Sequence, residues 1–304
     1  MARLFIRSLT SAPLLHLYGL MMLCGLVVLS GCSLQSSPLL YPKGPVASTE
    51  RELMLFAIAI MLTVLIPVWG LTLWCCRRYR KGGKGEYRPD WCSSTLVECG
   101  VWGGPLIIIL LIGYLVVVYT FRLDPYKPLT VHSTDTTPFP VQAVALDWKW
   151  LFIYPELGIA TVNELVFPQS RPLALEITSD TVMTSFMIPA LGGQIYAMAG
   201  MTTHLNLIAD QPGTFTGRNT QFSGTGFPQM YFSAKALPDK AFEDWLGTVR
   251  NASSMLNSAH YHQLARPNKS YAPVEYFSSV DTDLFNHILA RYSAPSTALA
   301  NGAL

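Results

Sequence analysis

Two uninterrupted apolar runs, 53–76 and 99–121, stand out in the first half of the chain, and neither contains a charged residue. Each exceeds the ~20 residues an α-helix needs to cross the hydrocarbon layer of a bilayer, so the pattern predicts two membrane-spanning helices. Pro67 falls inside the first and predicts a local kink, which a packed neighbour helix tolerates by re-satisfying the freed carbonyl. Beyond 140 the rhythm changes to short runs at 141–148, 164–167, 173–178, 195–198, 204–208 and 230–236, separated by Pro, Gly, Asn and Asp. Strand-like runs at this spacing predict an all-β sandwich or barrel. Past Pro238 the period lengthens. Phe242, Trp245 and Leu246 recur in 240–249, and Leu284, Ile288 and Leu289 in 281–292, which predicts two C-terminal helices. The stretch 122–140 is rich in Pro, Thr and Asp without helical periodicity and reads as a linker, while the residues from Ser293 read as disordered.

Charge orients the two spans. Arg77, Arg78, Arg80, Lys81, Lys84 and Arg88 lie between them, whereas 32–52 offers only Lys43 and Arg51, opposed by Glu50 and Glu52. The excess of cations places the loop 77–98 in the cytoplasm and both flanks outside. Trp69, Trp74 and Trp102 lie toward one side of the hairpin, as residues that favour the headgroup level do. At the N-terminus, Arg3 and Arg7 precede the apolar stretch 14–29, which ends in Leu29-Ser30-Gly31-Cys32. This arrangement resembles the signal and lipobox of bacterial lipoproteins. It implies a signal peptide over 1–31, acylation of Cys32, and a segment 32–52 outside the membrane, the same topology as the charge pattern.

Composition then narrows the function. Of 304 residues, half are apolar and 13% charged, with a mean hydropathy of +0.31. That balance is too apolar for an ordinary soluble protein. A net charge of +2 without a long basic run outside one loop argues against a nucleic-acid partner. All six cysteines lie at or before Cys99, so the outer part of the chain has neither disulfide nor thiolate ligand. Cys75 and Cys76 read as apolar filler at a helix end. His260-Tyr261-His262, taken as a loop without a carboxylate or thiol beside it, reads as surface residues rather than a metal pair. The chain carries no Gly-x-Ser-x-Gly elbow, Walker loop or dinucleotide fingerprint.

The order lipoprotein signal, helix hairpin, outer β domain resembles subunit II of haem-copper terminal oxidases. So do Trp148-Lys149-Trp150, Val182-Met183-Thr184-Ser185-Phe186-Met187-Ile188-Pro189 and Pro212-Gly213-Thr214-Phe215. The likeness runs from about Cys32 to the C-terminal helices. It implies a two-helix transmembrane hairpin over 53–76 and 99–121, followed by a cupredoxin-like Greek-key sandwich at 141–249 and an extension at 250–304 with a helix near 281–292. In the cytochrome c oxidase branch that sandwich holds a two-copper centre. Its ligand positions fall here on Thr184, Asn219, Gln221, Ser223, Phe227 and Met230, of which only Met230 matches. A lone thioether is a weak, soft ligand that cannot hold copper without thiolates and imidazoles beside it. With Leu191-Gly192-Gly193-Gln194-Ile195-Tyr196-Ala197-Met198-Ala199-Gly200-Met201, this pattern resembles the bo-type ubiquinol oxidase branch.

That resemblance implies a lipid-anchored protein of the bacterial inner membrane with its large C-terminal domain in the periplasm. It implies a proton-translocating quinol oxidase in an aerobic respiratory chain, with no cofactor on this chain and with haems and copper on subunit I. Subunits III and IV, membrane lipid and ubiquinol are further expected partners. Glu98, before the second span, reads by position as a carboxylate favoured by the helix dipole, and the resemblance implies the mouth of a proton path into subunit I. Trp148 and Trp150 read as core or subunit-contact aromatics. The alternative reading is a stand-alone tethered cupredoxin-like protein for copper delivery or oxidase assembly, for which Met198, Met201 and Met230 are too dispersed.

Overall fold

The computed structural model describes residues 37–83, 85–86, 89–129, 137–267 and 271–293. Residues from Pro42 onward form one unit, to which everything below belongs. Helices α1 (Pro45–Arg78) and α2 (Thr95–Arg122) are both long and apolar enough to cross a membrane. Thr63, Thr72 and Thr120 turn their hydroxyls back to the carbonyls of Ala59, Val68 and Val116, at 3.0, 2.7 and 2.7 Å. Hydroxyls in an apolar medium are thereby satisfied within their own helix.

Helix α1 begins at Pro45, earlier than the apolar run alone predicts, because its polar first turns dock on the β domain. Pro45 supplies a preset φ at the helix start. The Lys43 N–H donates to Ala190 O (2.7 Å), the Ala47 N–H to Leu191 O (3.1 Å) and the Asp210 N–H to Lys43 O (2.9 Å). A Cβ on Gly44 would lie 2.2 Å from Ile208 O, so the close approach requires glycine. At the end of α2, Pro125 O accepts from both Asn206 N and Nδ2, at 3.2 and 3.0 Å.

The β domain is a two-sheet sandwich. Its strands are β1 (Phe139–Leu146), β2 (Lys149–Tyr154), β3 (Ile159–Val162), β4 (Glu164–Pro168), β5 (Leu173–Ser179), β6 (Thr184–Met187), β7 (Gln194–Ala197), β8 (Thr203–Leu207), β9 (Gly213–Arg218), β10 (Tyr231–Leu237), β11 (Met255–Leu256), β12 (Glu275–Phe277) and β13 (Ser279–Val280). One sheet runs β12-β3-β2-β1-β5-β8 and the other β4-β10-β9-β6-β7, with β11 and β13 as a separate pair. Two pairings are parallel within the main sheets, β1 with β5 and β4 with β10. Between the sheets, Trp150, Phe152, Phe186 and Phe232 pack edge-on or stacked with centroids 5.0–6.4 Å apart. Helix α3 (Asp239–Arg250) closes this core with Phe242, Leu246 and Val249.

The sandwich does not end at 249. Val144, Leu146, Leu151, Ile153, Ala160 and Val162 point away from the second sheet into another apolar cluster with Leu256, Tyr261, Leu264, Phe277, Leu284, Phe285 and Ile288. The last seven come from the C-terminal segment, with its helices α4 (Ser258–Leu264) and α5 (Leu284–Ser293) and with β12 as an edge strand. The part of the first sheet formed by β2, β3 and the end of β1 is therefore covered on both faces, and β2 is buried along its whole length. A strand buried on both faces shows no alternation, which is why the period-two pattern passed over 149–154. The helix expected near 281–292 is α5.

Candidate functional site

The loop leaving β9 carries most of the positions that the sequence resemblance sets against copper ligands, and Asn219 organises it. Its side chain is buried. Asn219 Oδ1 accepts from Ser185 N (2.9 Å), Ser185 Oγ (3.3 Å) and Gln221 N (2.9 Å). Its Nδ2 donates to Ser223 Oγ (3.1 Å) and Met230 Sδ (3.3 Å). One amide thus ties β6 to both ends of the loop, using acceptor and donor capacity together. Thr220 extends the network, its N–H donating to Ser185 Oγ at 2.9 Å and its hydroxyl meeting Gln194 Oε1.

Trp148 braces the other side of the same loop. It sits in the β1–β2 turn at φ 59°, a left-handed conformation costly for a bulky residue. Its Nε1 donates to Ser223 O at 3.1 Å. The ring lies so close to Gly226 that a Cβ there would fall 2.1 Å from it. Trp150 is wholly buried in the core. Its Nε1 and the Thr184 Oγ1 are buried without a hydrogen-bond partner among the described residues.

Ser223 and Met230 are thus both held by Asn219, and Gln221 joins through its backbone. Phe227, on a 3-10 turn (Phe227–Gln229), lines a surface cavity of about 510 Å³ with Asn219 and Met230 and packs on exposed Phe222 at 5.8 Å. Thr184 reaches the network only through its neighbour Ser185. The side-chain donors at these positions are two amides, two hydroxyls and a thioether, a set that does not fit copper, which prefers thiolate and imidazole. Among the described residues no group of three or more His, Cys, Asp or Glu is placed to hold a metal ion. Sequence reasoning missed Ser185 and Thr220; their one signal is that they adjoin Thr184 and Asn219.

His260 and His262 lie on α4 rather than in a loop. The Asn257 side chain caps this helix by accepting the His260 N–H at 2.9 Å, and Tyr261 between the two histidines is buried. The sequence pattern of a packed helix start explains the pair without a ligand.

Two buried carboxylates anchor the C-terminal cover. Asp180 accepts the Tyr261 hydroxyl at 2.6 Å and both its oxygens meet Arg291 Nη1, at 3.0 and 2.7 Å. Glu164 takes the Tyr276 hydroxyl at 2.6 Å, Trp245 Nε1 at 3.3 Å, and the ammonium of Lys235. Burial, and next the hydrogen bond to its carboxylate, pushes each phenol well above the usual range, so Tyr261 and Tyr276 stay neutral donors. Lys149 crosses from β2 to cap α4, donating to Leu264 O (2.6 Å) and Arg266 O (3.1 Å), and burial lowers its ammonium pKa.

Glu98 occupies the first turn of α2 and is exposed. Cys32 lies outside the described residues.

Two long apolar helices followed by a two-sheet sandwich with C-terminal helices are the architecture of the subunit II class of haem-copper oxidases. The family described as cytochrome c oxidase subunit II, periplasmic domain, matches residues 154–237, and the COX aromatic-rich motif matches 250–296. The cytochrome bo(3) ubiquinol oxidase subunit 2 of Pseudomonas putida is 45% identical over 91% of this chain and 86% of its own length. The ubiquinol oxidase subunit 2 of Acetobacter aceti is 44% identical over 88% of this chain and 85% of its own. The chain belongs to the ubiquinol oxidase subunit 2 family. Among solved structures, the periplasmic domain of subunit II of cytochrome oxidase (CoxB) of Bradyrhizobium japonicum aligns at 24% identity and TM-score 0.36, covering 39% of this chain and 96% of that one.

Proposed function

We propose that the chain is subunit II of a proton-translocating ubiquinol oxidase of the bacterial inner membrane. In this role it carries no redox centre and supports quinol oxidation and oxygen reduction to water on subunit I, which holds the haems and copper. Subunits III and IV complete the assembly. The observation that carries this reading is the Asn219 network: a loop with the spacing of a copper loop is held together by an amide and hydroxyls in place of metal donors. A donor dissolved in the membrane needs no water-side copper relay, so the copper was lost while the loop was kept as a surface for subunit I. Cys32 carries the lipid, which the mass of the mature N-terminus checks.

Purification in mild detergent tests the assignment. Co-isolation with a haem-bearing, many-helix subunit and quinol oxidase activity is expected; isolation alone, with stoichiometric copper, overturns it. In this reading Glu98 is the mouth of a proton path, a role supported by its exposure at the start of α2, next to the basic loop. Glu98→Ala and Glu98→Gln are expected to lower turnover, and Glu98→Asp to do so less, with haem content unchanged. Wild-type turnover by all three across pH would reduce Glu98 to a helix-start residue.

A further inference from the structure

A cavity of about 100 Å³ opens where the outer ends of α1 and α2 meet the β domain. Four charged side chains of both signs line it: Glu50 of α1, Arg122 at the last position of α2, and Asp124 and Lys127 just beyond. Val46 and Leu205 add apolar wall. Each carboxylate is steadied through one oxygen, Glu50 Oε1 by the Gly193 N–H (2.9 Å) and Asp124 Oδ1 by the Tyr126 N–H (3.0 Å). No hydrogen bond from a described residue reaches the second oxygen of either carboxylate. No hydrogen bond or close ion pair joins the side chain of Arg122 or Lys127 to a described residue. The uncharged part of α1 begins at 53 and that of α2 ends at 121. The four charges therefore stand at the headgroup level of the outer leaflet.

We propose that this cavity binds the headgroup of a zwitterionic phospholipid with a primary amine, of the phosphatidylethanolamine type. Its phosphate lies on Arg122 and Lys127, its ammonium on Glu50 and Asp124, and its acyl chains run down the exposed apolar flank of the hairpin. Guanidinium and ammonium groups recognise phosphate by charge-assisted hydrogen bonds. A primary ammonium returns such bonds to the two carboxylates. Phosphatidylglycerol would leave both carboxylates unmatched, and a quaternary ammonium has no N–H to donate. The inference rests on the membrane topology above and not on the quinol reading.

The test uses protein purified from its native membrane with the subunits that accompany it, washed in detergent, with retained phospholipid measured by mass spectrometry. Glu50→Gln keeps an oxygen for the Gly193 N–H but removes the charge. It is expected to lower the retained ratio of phosphatidylethanolamine to phosphatidylglycerol about fivefold, the equivalent of ~1 kcal/mol for one charge at the membrane surface. Arg122→Gln with Lys127→Gln should remove about one phosphatidylethanolamine per chain, because each lost cation weakens headgroup binding about fivefold. Soluble glycerophosphoethanolamine at millimolar concentration should not displace the lipid; displacement would assign the cavity to a free headgroup and overturn the lipid claim. An unchanged lipid ratio and content in all variants, with the chain still in the membrane fraction, overturns the cavity alone. Recovery of the chain outside the membrane fraction overturns the topology and the cavity with it.

Discussion

The helix hairpin and the sandwich are both rich in apolar residues, yet they place them oppositely. Along α1 and α2, large side chains such as Trp69, Leu96, Trp102 and Phe121 stand 69–85% exposed. In the sandwich, Trp150, Phe152, Phe167 and Phe186 are wholly enclosed. Glycines repeat the contrast. A Cβ on Gly70, Gly100, Gly103, Gly104 or Gly113 of the hairpin would meet nothing within 4 Å, whereas one on Gly217 would fall 2.0 Å from the Phe232 ring. Apolar surface left bare has a lipid or a partner subunit as its solvent, while apolar surface turned inward is where the protein supplies its own. The hairpin is specified by what surrounds it and the sandwich by what it contains.

The strongest way to break that contrast is to make the sandwich expose a face as the hairpin does. Removing 250–304 uncovers Val144, Leu146, Leu151, Ile153, Ala160 and Val162. At ~1.5–3 kcal/mol for a large side chain, the loss is on the order of 10 kcal/mol, comparable with the whole stability of a domain. The truncated β domain is expected to aggregate or to be digested by protease at once. A soluble product with a cooperative melting transition would show the C-terminal segment to be an accessory.

Matched truncations sharpen the comparison at a smaller scale. Phe186→Ala should cost ~3–5 kcal/mol, because its ring is enclosed by Trp150, Phe152 and Phe232. Phe121→Ala, at a site 76% exposed, should change the melting of the β domain by under ~0.5 kcal/mol. Equal effects in thermal unfolding would refute the division.

Asn219→Ala tests whether the loop depends on its amide. It leaves the Ser185 and Gln221 N–H groups and the Ser223 hydroxyl without their partner, at a cost of ~1–3 kcal/mol. Amide hydrogen exchange should rise across 219–230 and stay unchanged in β2. Uniform exchange across the domain would instead assign Asn219 to global stability.

The smallest effect is electrostatic. Burial, offset by attraction to Lys149 and reinforced by repulsion from Asp180, raises the Asp147 pKa above its usual carboxylate value. A raised folded-state pKa means that the charged form is disfavoured in the folded protein, so at neutral pH the carboxylate costs stability. That cost fades as pH falls through the raised value and is gone below the ordinary one. Asp147→Asn should therefore raise the melting temperature slightly at pH 7 and leave it unchanged near pH 3, with a gain at low pH counting against the account.

The two spans, the strand-rich domain and the C-terminal helices were legible because their signals are local: uncharged runs longer than a bilayer, turn residues at strand spacing, and a helical period in 240–249 and 281–292. That Asn219, Ser223 and Met230 lie in one loop was legible too, since they are close in the chain. Less was readable of Ser185, Thr220 and the Trp148 brace, whose roles come from strands far apart in the chain.

The amino-acid order by itself determined which segments are apolar enough for lipid, which side of the hairpin carries the cations, and that the β9–β10 loop lacks thiolate and imidazole. Each follows from properties a residue keeps wherever it sits. Only the tertiary structure decided that 250–293 covers β2, β3 and the end of β1, that β1 pairs with β5 in parallel, and that Glu50 and Arg122 line one cavity. Those facts depend on which distant segments meet, and a strand buried on both faces, like β2, carries no periodic mark of its neighbours.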